Sequence, residues 1–344
     1  MSVVIPCRNE RDHIEKCILS VLHNGYQGEV EVLVIDGMSD DGTRTRVEEL
    51  RQLNPNVKMF DNPSRTTPQA LNIGIRHASG EAIVIVGAHC FLEPGYIEKT
   101  TRWLFSAANI GCSGGRTIAI GEPGTLQELI SKVIASPFGV GNATYRLATI
   151  GNDVIEVDTV AYGAYPRWIF TQVGEFDERL IRDQDMEFNS RLRKAGYKII
   201  LDPSAVIYYS PRRSLAAFWR QNFGNGLWNI LTWHLVPGSL SWRHFVPLLF
   251  VTALITSGLL AMLVEQAEVL FFTAVGSYFF VDALETIRIT TREKQLRFLG
   301  LFLVFPLLHI SYGFGSLTGV FAVARNLLSW SSKPPRPRHN DYPG

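Results

Sequence analysis

Apolar runs and amphipathic stretches alternate over the first 86 residues of the chain. The apolar runs have the length and composition of buried parallel strands, at residues 2–6, 30–35, 57–60 and 82–86. The stretches between them have helical spacing of their apolar positions, at residues 10–22, 43–53 and 67–77. This alternation predicts an α/β fold, Rossmann-like, with a mostly parallel sheet and helices on both faces.

The chain between residues 111 and 209 has a less regular pattern. The glycine-rich residues 111–124 and the segment 136–146 are predicted loops, and residues 205–209 are the predicted last strand. Residues 176–193 form an acidic segment, with acids at Asp177, Glu178, Asp183, Asp185 and Glu187.

The acidic segment predicts a helix with Asp183 as its N-cap. Asp185 then lies in the first turn, where the helix dipole favours its ionised form, on the same face as Asn189 and Leu192. Two interpretations follow from this segment alone. Either Asp185 points into a site, or the acids only cap and solvate a helix.

The N-terminal domain is predicted to span residues 1–212. Residues 213–244 change character and predict amphipathic helices at a membrane interface. Apolar side chains recur there at helical spacing, with Trp219, Trp228, Trp233 and Trp242 among them. The alternative is an ordinary amphipathic helix of a soluble core.

Residues 245–325 are predicted to hold two to four membrane spans, the strongest at 245–264 and 269–284. A third apolar segment, 298–323, is interrupted by Pro306, Gly313 and Gly315. Either it is a re-entrant or broken hairpin, or it is a full span and the basic tail violates the positive-inside rule. The basic connector at 288–297 predicts, by the positive-inside rule, that it and the N-terminal domain are cytoplasmic. Residues 326–344 are proline-rich and basic and are predicted to be disordered.

Bulk composition narrows the possible functions. The mean hydropathy of +0.08 averages a polar part and an apolar part, and the net charge of +1 does not favour a nucleic-acid partner. Cys7, Cys17, Cys90 and Cys112 lack metal or redox spacing, so we expect reduced thiols in a core. The chain starts on a strand-like run, and we expect no secretory leader.

Three loops follow predicted strands and are the candidate ligand site. They are residues 6–10, 36–42 and 87–90, and ligands of such sheets bind at the carboxyl ends of the strands. The chain has neither a GxGxxG after the first strand nor a GxxxxGK[ST] motif. An aspartate at a strand end remains able to accept hydrogen bonds from a ribose or a base.

Four ordered motifs resemble one family. SVVIPCRNE, VEVLVIDGMSDDGT, NIGIRHASGEAIVIVGAHC and GEFDERLIRDQDMEFNSRLRKAG resemble inverting family 2 glycosyltransferases with a GT-A fold. SGGR, SPFGVGNATYR and VDTVAYGAY are similar to the bacterial exopolysaccharide branch that includes succinoglycan glucosyltransferases. The likeness covers about residues 1–230, and the apolar C-terminal part is also similar.

The resemblance implies a UDP-sugar donor and assigns residues to it. The nucleotide-sugar side would be formed by Pro6, Arg8, Glu10, Asp36, Asp40, Gly87 and Ala88. Asp185 matches the family's catalytic aspartate, with Gln184 in place of the preceding glutamate. Arg182, Gln184 and Trp228 are the acceptor-side candidates. Residues 222–228 lack the arginine of the QxxRW motif, which argues against a processive synthase.

The sequence departs from the family at Gly87-Ala88-His89. Many relatives have Asp-x-Asp there to hold the divalent ion on the diphosphate, whereas this chain has a glycine and a histidine. His89 is the candidate ligand for Mg²⁺ or Mn²⁺, although imidazole suits Mn²⁺ less than carboxylate does. The alternative is that His89 only fills the loop.

The predicted function is sugar transfer with inversion in exopolysaccharide biosynthesis, at the bacterial inner membrane with the catalytic domain in the cytoplasm. Asp185 would take the proton of the acceptor hydroxyl. The predicted partners are a UDP-sugar (glucose first), a lipid-linked saccharide, membrane lipid and polysaccharide assembly proteins, with no nucleic acid. The rival functions are a non-catalytic sugar-nucleotide-binding scaffold, a polyprenyl-phosphate sugar synthase and, ranked last, a sugar nucleotidyltransferase.

Overall fold

The structure is a computed structural model that describes residues 1–148, 153–293 and 297–325. The strands are β1 Ser2–Cys7, β2 Glu31–Asp36, β3 Val57–Asp61, β4 Ala82–Ile85, β5 Cys90–Leu92, β6 Ile110–Ala119, β7 Ile155–Glu156, β8 Ala164–Pro166 and β9 Lys198–Tyr209. The helices are α1 Ile14–Leu22, α2 Thr43–Leu53, α3 Thr67–His77, α4 Tyr96–Leu104, α5 Leu126–Val133, α6 Pro137–Val140, α7 Thr144–Leu147, α8 Ile169–Val173, α9 Gln184–Lys194, α10 Leu215–Leu235, α11 Val246–Ala261, α12 Glu265–Glu293 and α13 Phe298–Ala324.

The chain divides into two units. The described part of the first unit comprises residues 1–118, 144–148 and 153–209. The described part of the second comprises 119–143, 210–293 and 297–325. Residues 119–143, which the sequence placed inside a continuous domain 1–212, belong to the second unit.

The N-terminal half of the first unit has the predicted parallel sheet. Its strand order is β3-β2-β1-β4, and all three pairings are parallel. Cys7 is in register with Asp36, and Asp36 with Asp61, so the carboxyl ends of these strands coincide. Helix α1 begins at Ile14 rather than Glu10, since residues 9–13 form a turn that Asn9 opens at φ 55°.

The other half of the sheet is antiparallel, so the sheet is mixed rather than mostly parallel, while the predicted α/β class is confirmed. The order continues from β4 through β8, β6 and β9 to β5, while β7 pairs with β9. The pairings β4–β8, β6–β8, β5–β9 and β7–β9 are antiparallel. The fold is a mixed α/β sheet of the GT-A type.

Strand β6 occupies residues that the sequence predicted as a glycine-rich loop. Gly115 is at the closest approach, because an added Cβ would lie 2.2 Å from the carbonyl oxygen of Ala205. A Cβ on Gly114 would meet Val160 at 2.8 Å. These glycines therefore permit tight packing inside a sheet rather than a turn.

The core of the first unit lies around this sheet. Val4, Leu33, Ile83, Tyr165 and Phe188 are among its fully buried members. All four cysteines are free and buried, which agrees with the expected core role.

The second unit consists of helices, and three of them in the described residues are long and apolar enough to cross a membrane, at 242–261, 265–292 and 298–324. Helix α13 is continuous through Pro306, Gly313 and Gly315, so the alternative of a broken hairpin is wrong. The predicted disorder of 326–344 concerns residues outside the described part of the chain.

Helix α10 is a single helix that packs along α13. A Cβ on Gly226 would lie 1.9 Å from the carbonyl oxygen of Tyr312, and one on Gly315 would lie 2.0 Å from that of Phe223. Small residues at such positions let two helices approach closely, as in membrane helix pairs.

Candidate active site

The loops after β1 and β2 are joined by hydrogen bonds. The Asn9 amide side chain donates to Asp40 Oδ1 at 3.0 Å, and its oxygen accepts from the Asp40 backbone N–H at 3.1 Å. The Glu10 N–H donates to Thr43 Oγ1 at 2.8 Å. These bonds hold the positive φ of Asn9 in place and fix the backbone beside Glu10.

Asp36 ends β2 and is 1% exposed. Its carboxylate accepts from the Ser39 N–H at 3.0 Å and from Arg44 Nη1 at 2.7 Å, and Arg44 also pairs with Asp61 at 2.8 Å. In this structure Asp36 therefore organises the loop after β2. Its contact with a nucleotide stays a prediction.

Three other predicted nucleotide-side residues surround this loop. Pro6 lies in β1, in register with Ile35 of β2. Arg8 is exposed, and its side chain packs along the backbone of Gly37. Asp40 is exposed in the loop that Asn9 holds.

Gly87 follows β4 and has no room for a side chain. A Cβ there would lie 2.9 Å from Tyr162 Cε1 and 3.2 Å from Cys90 Sγ. Ala88 is 2% exposed, while the ring of His89 faces Glu10, with Nδ1 at 3.3 Å from Oε1. Tyr162 thus occupies the space that the first Asp of Asp-x-Asp would need.

The residues around Gly87 do not form a metal cluster. Within the described residues, no group of three His, Cys, Asp or Glu side chains is placed to hold a metal ion. Glu10 and His89 supply two donors, fewer than a protein site for Mg²⁺ or Mn²⁺ ordinarily offers together with the diphosphate. The set present does not fit the Asp-x-Asp type of metal site.

Asp185 lies in the first turn of α9 and is half-buried. Burial raises the pKa of its carboxyl above the usual value, and a hydrogen bond from the Met186 N–H at 2.9 Å acts in the opposite direction. The helix dipole, on which the expectation from the sequence rested, favours the ionised form of Asp185, whereas the loss of hydration on burial favours the neutral form. A carboxylate with a raised pKa is suited to accept a proton.

Asp183 precedes α9 as predicted, but its side chain makes no capping hydrogen bond. Its φ of 60° is left-handed, which turns the chain into the helix by backbone conformation. The predicted side-chain cap is therefore wrong.

The other acids of the segment have structural contacts. Asp177 pairs with Arg179 at 2.6 Å and Glu187 with Arg191 at 2.6 Å. Glu178 accepts from Asn72 at 3.0 Å. These contacts give the three acids structural roles, whereas Asp185 is the acid of the first turn of α9 whose pKa is raised by burial.

The acceptor-side candidates fall in both units. Arg182 and Gln184 are half-buried and flank Asp183, directly before and at the start of α9. Trp228 is half-buried on α10, in the second unit.

Sequence reasoning missed Arg146 and the tyrosines around it. The Arg146 guanidinium donates to the Tyr209 hydroxyl and lies over the rings of Tyr145 and Tyr209, at 5.4 and 5.3 Å from their centroids. Arg146 and Tyr162 lie in SPFGVGNATYR and VDTVAYGAY, the segments that carried the narrower resemblance. An arginine next to a tyrosine in a predicted loop gave no further signal.

The mixed sheet and its strand-end loops have the arrangement of a GT-A fold. Residues 2–147 match the family described as glycosyl transferase family 2. This match to the N-terminal part of the chain agrees with the resemblance to family 2 glycosyltransferases seen in its motifs.

Two curated proteins are similar over most of the chain. The first is a dolichyl N-acetyl-α-D-glucosaminyl phosphate 3-β-D-2,3-diacetamido-2,3-dideoxy-β-D-glucuronosyltransferase of Methanococcus voltae, 29% identical over 91% of this chain and 95% of that protein. The second is the succinoglycan biosynthesis protein ExoA of Rhizobium meliloti, 28% identical over 72% of this chain and 74% of that protein.

One solved structure has a similar fold along nearly the whole chain. It is the mannosyltransferase PcManGT of Pyrobaculum calidifontis in complex with GDP-Man and Mn²⁺, with a TM-score of 0.58 and 17% identity. It covers 93% of this chain and 86% of its own. At this identity the likeness concerns the fold alone.

Proposed function

We propose that the protein transfers a sugar from a UDP-sugar to a lipid-linked saccharide with inversion at the anomeric carbon. Glucose is the first candidate for that sugar. The observation that carries the proposal is Asp185, which is half-buried in the first turn of α9 and whose carboxyl has a pKa raised by burial. It is supported by the match of residues 2–147 to glycosyl transferase family 2. The predicted donor contacts remain those of Pro6, Arg8, Glu10, Asp36, Asp40, Gly87 and Ala88.

The reaction is a single in-line displacement. The acceptor oxygen forms a bond to the anomeric carbon while the bond from that carbon to the phosphate oxygen breaks, and its electron pair leaves on UDP. Asp185 takes the proton of the acceptor hydroxyl. The arrangement requires no covalent intermediate, and one displacement inverts the carbon.

A membrane acceptor is supported by the three apolar helices and by the relatives. The Methanococcus voltae protein is named for a dolichyl sugar phosphate acceptor and the Rhizobium protein for succinoglycan biosynthesis. We infer a lipid-linked saccharide in exopolysaccharide assembly. We infer a bacterial plasma membrane location with the first unit cytoplasmic, from Arg288, Arg292 and Arg297 beside the ends of α12 and α13.

The test is incubation of membranes that contain the full chain with a panel of labelled UDP-sugars, followed by lipid extraction. We expect label in the lipid fraction with one donor, and a loss of about 10²- to 10⁴-fold in Asp185→Asn, because a positioned base contributes that much. Glu98→Gln, an exposed carboxylate on α4, is the matched control and keeps the wild-type rate. Near-normal transfer by Asp185→Asn refutes the assignment.

Two outcomes separate the rivals. UDP-sugar binding without transfer to any membrane lipid supports a scaffold. Label on lipid phosphate itself, rather than on a lipid-linked saccharide, supports a polyprenyl-phosphate sugar synthase, and mild acid followed by product sizing distinguishes the two lipids.

A further inference from the structure

Arg146 is a half-buried cation held by tyrosines. Among the described residues its guanidinium makes no ion pair with a carboxylate. It hydrogen-bonds the side chains of Tyr209 and Tyr145 and lies over both rings. Burial raises the pKa of Tyr209, so this hydroxyl stays neutral near pH 7 and does not balance the charge. A partly buried charge that lacks its counterion favours binding of an anion.

The position of Arg146 connects this charge to the segment after β4. Tyr209, to which it donates, is the register partner of Cys90, and the Tyr209 ring meets His89 edge-on at 6.5 Å between centroids. Tyr162, whose ring fills the space beside Gly87, also contacts Cys90. The cation is therefore separated by the Tyr209 ring from Gly87-Ala88-His89, the stretch that lacks the Asp-x-Asp motif.

The holding contacts suit a phosphate ligand. A guanidinium presents donors in a planar fork that matches two phosphate oxygens, and stacking on aromatic rings orients the fork without consuming its charge. The side chains of Tyr209 and Tyr145 each take a donor of Arg146. A guanidinium has more donors than these two bonds use, so some are left for a ligand.

We propose that Arg146 binds the diphosphate of the sugar nucleotide and stabilises its charge as it departs, in the region where relatives with Asp-x-Asp place a divalent ion. This inference rests on the proposed donor class, a nucleoside diphosphate sugar. The chain lacks the acidic Asp-x-Asp motif that would hold a metal ion, and Arg146 would supply the positive charge in its place. Tyr145 and Tyr209 are positioning residues for that cation.

The test compares the binding of UDP with that of uridine, which lacks the diphosphate. Purified full-length protein in detergent is titrated by calorimetry with each ligand in EDTA and again in Mn²⁺. In EDTA the wild-type protein binds UDP more tightly than uridine. Arg146→Gln weakens UDP binding about 10- to 100-fold, as expected for loss of charge-assisted hydrogen bonds, and leaves uridine binding within about twofold.

Two further variants grade the effect. Arg146→Lys keeps the charge without the fork and is expected to keep part of the UDP preference. Tyr209→Phe removes the positioning hydrogen bond and is expected to lose a smaller part than Arg146→Gln. Arg102→Gln, an exposed arginine on α4, makes the same charge change away from these loops and keeps the wild-type preference.

The outcomes distinguish the inference from the function on which it rests. If the wild-type protein prefers UDP only in Mn²⁺, or if Arg146→Gln keeps the full preference in EDTA, the role of Arg146 is refuted while the donor class stands. If the wild-type protein binds neither ligand, the proposed uridine nucleotide donor fails. Uridine binding also reports folding. If Arg146→Gln no longer binds uridine, that variant is misfolded and the test rests on Arg146→Lys and Tyr209→Phe. An unchanged preference for UDP in both of these variants refutes the inference.

Discussion

Gly87→Ala tests whether Tyr162 occupies the space of the missing aspartate. The added methyl would lie 2.9 Å from Tyr162 Cε1, so the ring has to retreat by about 0.6 Å to reach an ordinary contact of about 3.5 Å. The ring has little freedom to do so, because its hydroxyl contacts Cys90 and its backbone carbonyl accepts from Tyr96 at 3.1 Å.

The expected cost of this overpacking is about 1–3 kcal/mol of the free energy of unfolding. For a unit of this size that lowers the thermal midpoint by about 2–12 °C. In a Tyr162→Ala background the contact at 2.9 Å is gone and Cys90 Sγ, at 3.2 Å, is the nearest remaining atom, so we expect Gly87→Ala to cost much less there. The coupling energy between the two sites is then also about 1–3 kcal/mol.

The assay is thermal unfolding of the full chain in detergent, for wild type, both single variants and the double variant. Equal cost of Gly87→Ala in the two backgrounds would refute the steric account of the lost motif. Gly87→Asp adds a carboxylate to the same crowded space and is expected to destabilise more than alanine without creating a metal site.

Two further predictions concern stability. Although burial alone raises the pKa of Glu31, hydrogen bonds from Lys58, Ser2 and Ser79 lower it to about 2, below the usual 4.5. The carboxylate thus stabilises the fold above about pH 4.3, and that contribution disappears as the pH falls towards 2. Glu31→Gln should cost about 1.5–3 kcal/mol at pH 7 and little near pH 2, and a pH-independent cost in denaturant titrations would contradict this. Gly315→Ala should lower the thermal midpoint by pushing α13 from Phe223 of α10, whereas Gly276→Ala on α12, with nothing within 4 Å, should not. Equal midpoints for the two glycine variants would contradict the packing.

The parallel half of the sheet was predictable because each strand there is a continuous apolar run between amphipathic helices. Strand β6 was not, because Gly114 and Gly115 give the sequence the composition of a loop. Their reason lies in Val160 and Ala205, which are distant in sequence and close in the sheet. Local composition does not distinguish a glycine that forms a turn from a glycine against which a neighbouring strand or side chain packs closely.

The same dependence on contacts distant in sequence explains which site residues could be predicted. Asp185 and the strand-end loops follow from local pattern together with the family motifs. Tyr162 and Arg146 do not, since their meaning depends on contacts with Gly87 and Tyr209, some 60 to 75 residues away. The lost Asp was visible in the sequence, whereas the ring that fills its place was visible only in the fold.

Helix α5 has a consequence for the order in which the chain is made. Ile130 and Val133 are buried in one cluster with Leu301 and Phe305 of α13, and Leu129 lies against Gly300. These partners are synthesised about 170 residues later. The apolar face of α5 therefore leaves the ribosome long before its partner exists, a loop closure of high contact order. All the strands of the first unit have been synthesised by Tyr209, so we expect this unit to fold first. Residues 119–143 then pack only after α13 has been synthesised.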